Sequence, residues 1–256
     1  MNAITDYSHY VTEMEKGIQD KLFFMEKINF STLLDYGCAD GMLIETMAHY
    51  YPNKKYIGYD FDQNMVSLAK SKGIKNSSFY NNLHLANEKL TSESGKTAIL
   101  CSSLIHEVYS YGTDFEISLF WRNLFSGVYD YIVIRDMALS ENIESEKTDK
   151  DDIEKLMQKA NIKSINEFEE NWGSIENKKN FIHFLMKYRY IKNWSREVKE
   201  NYFPITVQEH LMKIPDNFEI VLFEHFSLPF QRDVIENDFG INMEEKTHVK
   251  IILKKK

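Results

Sequence analysis

The sequence predicts an α/β fold: a doubly wound, mostly parallel seven-stranded sheet with an antiparallel C-terminal edge and a helical insertion. Three observations predict it. Five short apolar runs alternate with stretches of helical spacing between residues 30 and 137, the alternation then stops over a charged helical stretch, and two strand-like runs return after Pro215. Strands separated by helices pair in parallel, because each crossover returns the chain to run in the same direction.

Taken in order, Tyr7, Val11, Met14, Ile18, Leu22, Met25 and Ile28 recur at steps of three and four, which predicts one face of a helix. "STLLDYG" is a buried strand, and "DGMLIETMAHYY" a helix ended by Pro52. "KYIGYD" is a second strand, and "NMVSLAKSKG" a second helix with Gly73 at its C-terminal cap. "SSFYNN" and "TAILCSS" are further strands. "EISLFWRNLFSG" gives a helix ended by Gly127 before the strand "YDYIVIRDM". From Ser140 to Leu211 the pattern is helical and charged, beginning with "ENIESEKTDKDDIEKL". "NFEIVLFEHF" and "THVKIILKKK", separated by "SLPFQRDVIENDFGINMEE", are strands that could pair antiparallel at the sheet edge. The expected organisation is a cofactor-binding half over residues 1–139, a helical insertion or lid over 140–211, and completion of the sheet over 212–256.

A chain of 256 residues, 43% hydrophobic, can bury a sizeable core. Its net charge of -8 disfavours a general nucleic-acid or anionic-membrane surface, since such partners favour a positive field. Cys38 and Cys101 have no Cys or His at ligand spacing, so neither a disulfide framework nor a zinc site is expected. The N-terminus lacks the apolar core of a signal peptide, and no apolar run approaches spanning length; a soluble, cytoplasmic protein is expected.

The chemistry centres on "TLLDYGCADG". Glycines at the tip of a first parallel strand let the backbone turn tightly beside a ligand. A diphosphate cofactor would want G-x-G-x-x-G, but here Asp35 and Asp40 accompany Gly37 and Gly41 and would repel phosphate. Two acids suit a cationic cofactor with an amino group, which points to S-adenosylmethionine. Asp60, about 20 residues on at the end of the second strand, is placed to accept ribose hydroxyls.

With "LLDYGCADG", "YIGYDFDQNMVSLAK", "CSSLIHEVYSY" and "YDYIVIRDMAL" in order, residues 30–137 resemble the Rossmann-like, class I S-adenosylmethionine-dependent methyltransferases. The late antiparallel pair resembles that family's edge. The resemblance implies that Asp35, Gly37 and Gly41 form the turn under the methionine portion, with Asp35 or Asp40 near its ammonium. Asp60 would hold the ribose, Phe61 would stack on adenine, Met65 would wall it, and Asn81 or Asn82 would meet its amino group. Ser102, at the fourth strand's tip, is assigned to the cofactor as well. S-adenosylhomocysteine would be the product.

Acceptors approach this fold from the ends of the fourth and fifth strands. His106, titrating near neutrality beside Glu107, is the candidate proton acceptor, or else it bonds a loop carbonyl. Arg135 with Asp136 either grips an anionic substrate group or braces the strand end as a buried ion pair. A metal at His106, Glu107 and Asp136 is not expected, since no usual ligand spacing is visible. Substrate candidates are Tyr7 or Tyr10 on the N-terminal helix, Tyr109, and Arg189 and Arg196 in the aromatic and basic stretch 181–203. That stretch otherwise reads as an amphipathic helix with Phe181, Phe184, Leu185, Tyr188, Ile191 and Trp194 on its core side. The expected activity is methyl transfer to a small oxygen- or phosphate-bearing metabolite, such as a nucleotide-linked or sugar intermediate. An RNA or tRNA methyltransferase and a non-catalytic cofactor-binding regulator are the alternatives, and a dehydrogenase comes last.

Overall fold

A computed structural model of the chain describes residues 17–256. Tyr7, Tyr10 and most of the expected N-terminal helix lie outside the described residues. Seven strands are formed: β1 (Thr32–Tyr36), β2 (Lys55–Tyr59), β3 (Ser77–Tyr80), β4 (Thr97–Ser102), β5 (Tyr131–Met137), β6 (Phe218–Phe226) and β7 (His248–Lys255). They lie in one sheet in the order β3-β2-β1-β4-β5-β7-β6. The first five pair in parallel, and β7 runs antiparallel to both β5 and β6. The two late strands therefore form the antiparallel edge, with the later one inside.

Successive residues of a strand face opposite sides, and the sheet uses both. Leu33, Tyr56, Leu100 and Val133 pack with Ile44 and Met47 of α2 (Met42–Tyr50) and Val66 and Ala69 of α3 (Gln63–Ser71). Leu34, Ile57, Ile99 and Ile134 face the other way. They meet Leu90 of α4 (Leu83–Thr91), Ile105 of α5 (Ile105–Tyr111) and Phe120 and Leu124 of α6 (Asp114–Ser126). Two covered faces explain why these strands read as unbroken apolar runs.

Helix α1 (Ile18–Lys21) stops earlier than the apolar spacing predicts. Successive turns continue it: Met25 donates to the Leu22 carbonyl and Lys27 to the Phe24 carbonyl, each at 3.0 Å. Phe24, Met25 and Ile28 stay buried, so the periodicity marked burial and not helix. Three further helices, α4, α5 and α12, escape the sequence reading. Asn82 caps α4, and α12 (Pro229–Phe239) begins on a proline and ends at left-handed Gly240.

The inserted stretch contains α7 (Lys150–Lys159), α8 (Ile162–Trp172), α9 (Lys178–Tyr188) and α10 (Trp194–Glu197). Phe168, Phe181, Phe184 and Leu185 form a separate core there, to which Ile235 and Phe239 of α12 belong. Ile205 and Val207, the latter opening α11 (Val207–Met212), pack instead on the sheet. Packing thus crosses residue 212 in both directions. Among the described residues no helix is long and apolar enough to cross a membrane.

Candidate active site

The turn after β1 is built from left-handed residues: Gly37 at φ 86°, Ala39 at 46° and Gly41 at 77°. Its left-handed backbone favours glycine at position 37, where an added Cβ would also have to push aside the end of the Leu104 side chain 2.8 Å away. The backbone amides of Gly37 and Cys38 donate to the Tyr59 carbonyl at 2.8 and 3.0 Å, which ties the turn to the tip of β2. There Asp60 accepts from the Ala39 amide and the Asp62 amide, both at 2.9 Å.

The two acids of the turn behave differently. Asp40 accepts from the Met42 amide at 3.2 Å and from Lys72 Nζ at 3.0 Å. Asp35 is buried, and its carboxylate accepts no hydrogen bond from any described residue. Burial pushes its carboxyl up to about 7, against the attraction of Lys21. Burial and Arg135 in turn push the Lys21 ammonium down to about 8. An ionised carboxylate held dry without a donor is costly, and a cationic ligand group placed beside it removes that cost.

A cavity of ≈ 210 Å³ opens from this turn toward the tips of β4 and β5. Gly17, Ile18 and Lys21 of the N-terminal segment line one side, and Met186, Arg189 and Tyr190 from the inserted helices line another. Asp20 anchors the segment, accepting from Arg135 Nε at 2.8 Å and pairing with Lys250. Arg135 also donates to Ser103 Oγ at 3.2 Å, and Ser103 is left-handed at φ 55°. Arg135 thus pairs with Asp20, and no ion pair forms between Arg135 and its neighbour Asp136, which instead meets His106.

At the far end, His106 Nδ1 lies 2.7 Å from Asp136 Oδ1. Asp136 Oδ2 accepts from the Leu104 amide at 2.9 Å and the Ile105 amide at 2.6 Å. Burial alone would disfavour the imidazolium, but the Asp136 carboxylate outweighs it and lifts His106 to about 9. Burial would likewise raise Asp136, yet His106 and the amides of Met137 and Ile105 bring it to about 2. Burial lifts Glu107 to about 7 despite His106. Arg196 bridges two acids, Glu107 Oε1 through Nη2 and Glu200 Oε1 through Nε, each at 2.9 Å. Tyr111 donates to the same Glu200 oxygen at 2.8 Å.

No protein-family model matches the chain, and no curated protein matches it in sequence. Solved structures do. The methyltransferase domain of a bacterial CtHen1 superposes with a TM-score of 0.51 at 11% identity, covering 94% of this chain and 97% of that one. The plantazolicin methyltransferase BamL, with a triazolic substrate analogue and SAH, gives 0.49 at 13% identity over 97% of this chain and 88% of that one. The MccD protein gives 0.49 at 12% over 93% and 96%. The chain has the class I methyltransferase fold.

In this methyltransferase fold the cavity gathers Asp35, Gly37, Asp40, Asp60, Phe61, Ser102, His106, Glu107, Arg135, Arg189 and Arg196. Several sequence candidates lie elsewhere. Gly41 packs its backbone toward Phe79 and Ala69, and Met65 is half-buried away from the cavity. Asn82 spends its side-chain oxygen on the amides of His84 and Leu85, and Asn81 is exposed beside it. Tyr109 accepts from Trp121 Nε1 at 3.1 Å within the sheet core. Asp136 stands behind His106 and off the cavity wall. Glu200 and Gln231, which sequence reasoning passed over, line the cavity. Glu200 carried a weak signal as an acid four residues beyond Arg196.

Proposed function

We propose that the chain is an S-adenosylmethionine-dependent methyltransferase acting on a small oxygen-bearing acceptor. The single observation that carries this reading is Asp35, a buried carboxylate without a hydrogen-bond donor among the described residues, at the foot of a left-handed turn and close enough to Asp60 to feel its charge. The residues fit the cofactor. Asp35 matches an ammonium, Asp60 retains lone pairs for ribose hydroxyls, and exposed Phe61 offers a face for adenine. The cofactor supplies a methyl group on a sulfonium, which is already an activated leaving group.

What the chain adds is alignment, exclusion of water and proton handling. His106, held protonated by Asp136, is a poor base near neutrality, whereas Glu107 near 7 is matched to accept a proton. Acceptor size is supported by enclosure. Lys187 and Arg196 are buried and Arg189 is half-buried, which leaves Lys192 and Lys199 as the exposed cations of 181–203, fewer than the continuous basic face that an RNA substrate favours.

Calorimetry with S-adenosylhomocysteine tests the cofactor reading. One site per chain is expected, with at least thirtyfold weaker binding in Asp60→Ala; unchanged affinity rejects the assignment. Methyl-labelled cofactor incubated with fractionated cell extract tests the acceptor. Label is expected in the low-mass fraction, and label in RNA instead favours the alternative.

A further inference from the structure

We propose that His106, Glu107 and Glu200 form a divalent-cation site at the acceptor end of the cavity, an inference that rests on the methyltransferase reading and refines its acceptor class. One ligand atom from each of the three lies within 4.8 Å of the others. They come from different parts of the chain. His106 and Glu107 stand on the first turn of α5, while Glu200 follows α10 in the inserted stretch.

Each side chain is braced at one atom and open at another. His106 is 5% exposed; Asp136 takes Nδ1, and Nε2 has no hydrogen-bond partner among the described residues. A buried imidazole whose second nitrogen is held by a carboxylate is the usual posture of a metal-binding histidine. Arg196 occupies Oε1 of both glutamates and Tyr111 shares that of Glu200, which leaves both Oε2 atoms without a partner among the described residues. All three residues line the cavity. Glu107, Glu200 and the Asp136 carboxylate behind His106, set against one guanidinium and a neutral imidazole, leave two net negative charges for a cation to meet. A bound cation would hold Glu107 ionised and take over from it the task of acidifying the acceptor. Arg196 then steadies the ligands instead of replacing the ion.

One imidazole with two carboxylates suits Mn²⁺, Fe²⁺ or Zn²⁺ better than Ca²⁺, which prefers six or more oxygens. Three protein ligands leave positions for an acceptor. The substrate class is therefore a molecule presenting an oxygen, or two neighbouring oxygens, to a divalent cation beside the cofactor methyl group. The proton that the cation replaces on Nε2 leaves to solvent.

Chelator-treated full-length chain, saturated with S-adenosylhomocysteine and titrated with Mn²⁺ under electron paramagnetic resonance, tests this. One saturable Mn²⁺ per chain is expected, weakened at least tenfold in Glu200→Gln and in His106→Gln. Affinity for S-adenosylhomocysteine should stay within threefold of wild type in both. Should either variant lose its circular dichroism signal, Glu107→Gln and the Mn²⁺-induced rise in wild-type melting temperature supply the readout. A wild type that binds S-adenosylhomocysteine but shows no saturable Mn²⁺ or Zn²⁺ binding at millimolar levels overturns the cation site alone. Equal Mn²⁺ binding by Glu200→Gln and wild type overturns it too. A wild type that binds neither ligand overturns the methyltransferase reading as well.

Discussion

Replacing Asp35 with asparagine should make the empty protein more stable and the cofactor complex weaker. Burial moves this carboxyl from 3.8 to about 7. At about 1.4 kcal/mol per unit, the folded state gives up about 4 kcal/mol by holding the charge at pH 8. A group whose folded value is raised contributes no penalty below its unfolded value, gains one as pH climbs from about 4 to 7, and carries it in full above that. Asp35→Asn should therefore melt with wild type at pH 4 and several degrees above it at pH 8. The figure of about 4 already nets the attraction of Lys21 against burial, and it is an upper bound because an asparagine amide at the same buried site also lacks a partner. For cofactor, the variant exchanges a charge-assisted hydrogen bond for a neutral one. Its affinity for S-adenosylhomocysteine should fall about ten- to a hundredfold, matching 1.5–3 kcal/mol. Wild-type affinity should itself rise with pH as Asp35 ionises near 7. Differential scanning fluorimetry across pH and calorimetry at pH 8 read both effects. Variant affinity within threefold of wild type, or an unliganded variant less stable than wild type at pH 8, refutes the reasoning.

Asp136→Asn should cost about 3–5 kcal/mol, since it strips a buried imidazolium of its partner. The wild-type advantage should be greatest between pH 4 and 6.5, shrink as pH rises through about 9, and fade as pH drops toward 2; imidazole NMR should show His106 titrating below its ordinary 6.5 in the variant. Asn82→Ala should lose about 1 kcal/mol of helix capping while S-adenosylhomocysteine affinity stays within twofold, and a tenfold loss would return Asn82 to the adenine pocket. Gly37→Ala should destabilise by about 1–3 kcal/mol through its left-handed backbone and the contact with Leu104, read by urea denaturation, and it should weaken cofactor binding at the same time.

The sheet and its turn were legible because their signals are local. A buried strand followed by Asp35, Gly37 and Gly41 reads in ten residues, and Asp60 closes the same loop from the next strand. The acceptor end was not, because its partners are distant in sequence. Arg196 reaches Glu107 across 89 positions, and no spacing rule connects a helix after β4 to α10. Asn82 and Tyr109 were misplaced for another reason. A polar residue before a helix caps it whether or not a ligand is near, and a tyrosine on an amphipathic turn can serve either core or cavity. Helix α12 was missed because Pro229 and Gly240 read as loop, although they mark its two ends.

The position of β7 bears on how the molecule assembles. Tyr131 pairs with Lys254 and Asp136 with Val249, so β5 waits for a strand more than a hundred residues later before its second edge is bonded. Closing so long a loop is slow. Until it closes, an apolar strand that carries Asp136 stands open to pairing with other chains. Refolding should therefore compete with self-association at high concentration, and the acceptor end should be the final part of the sheet to gain protection from hydrogen exchange.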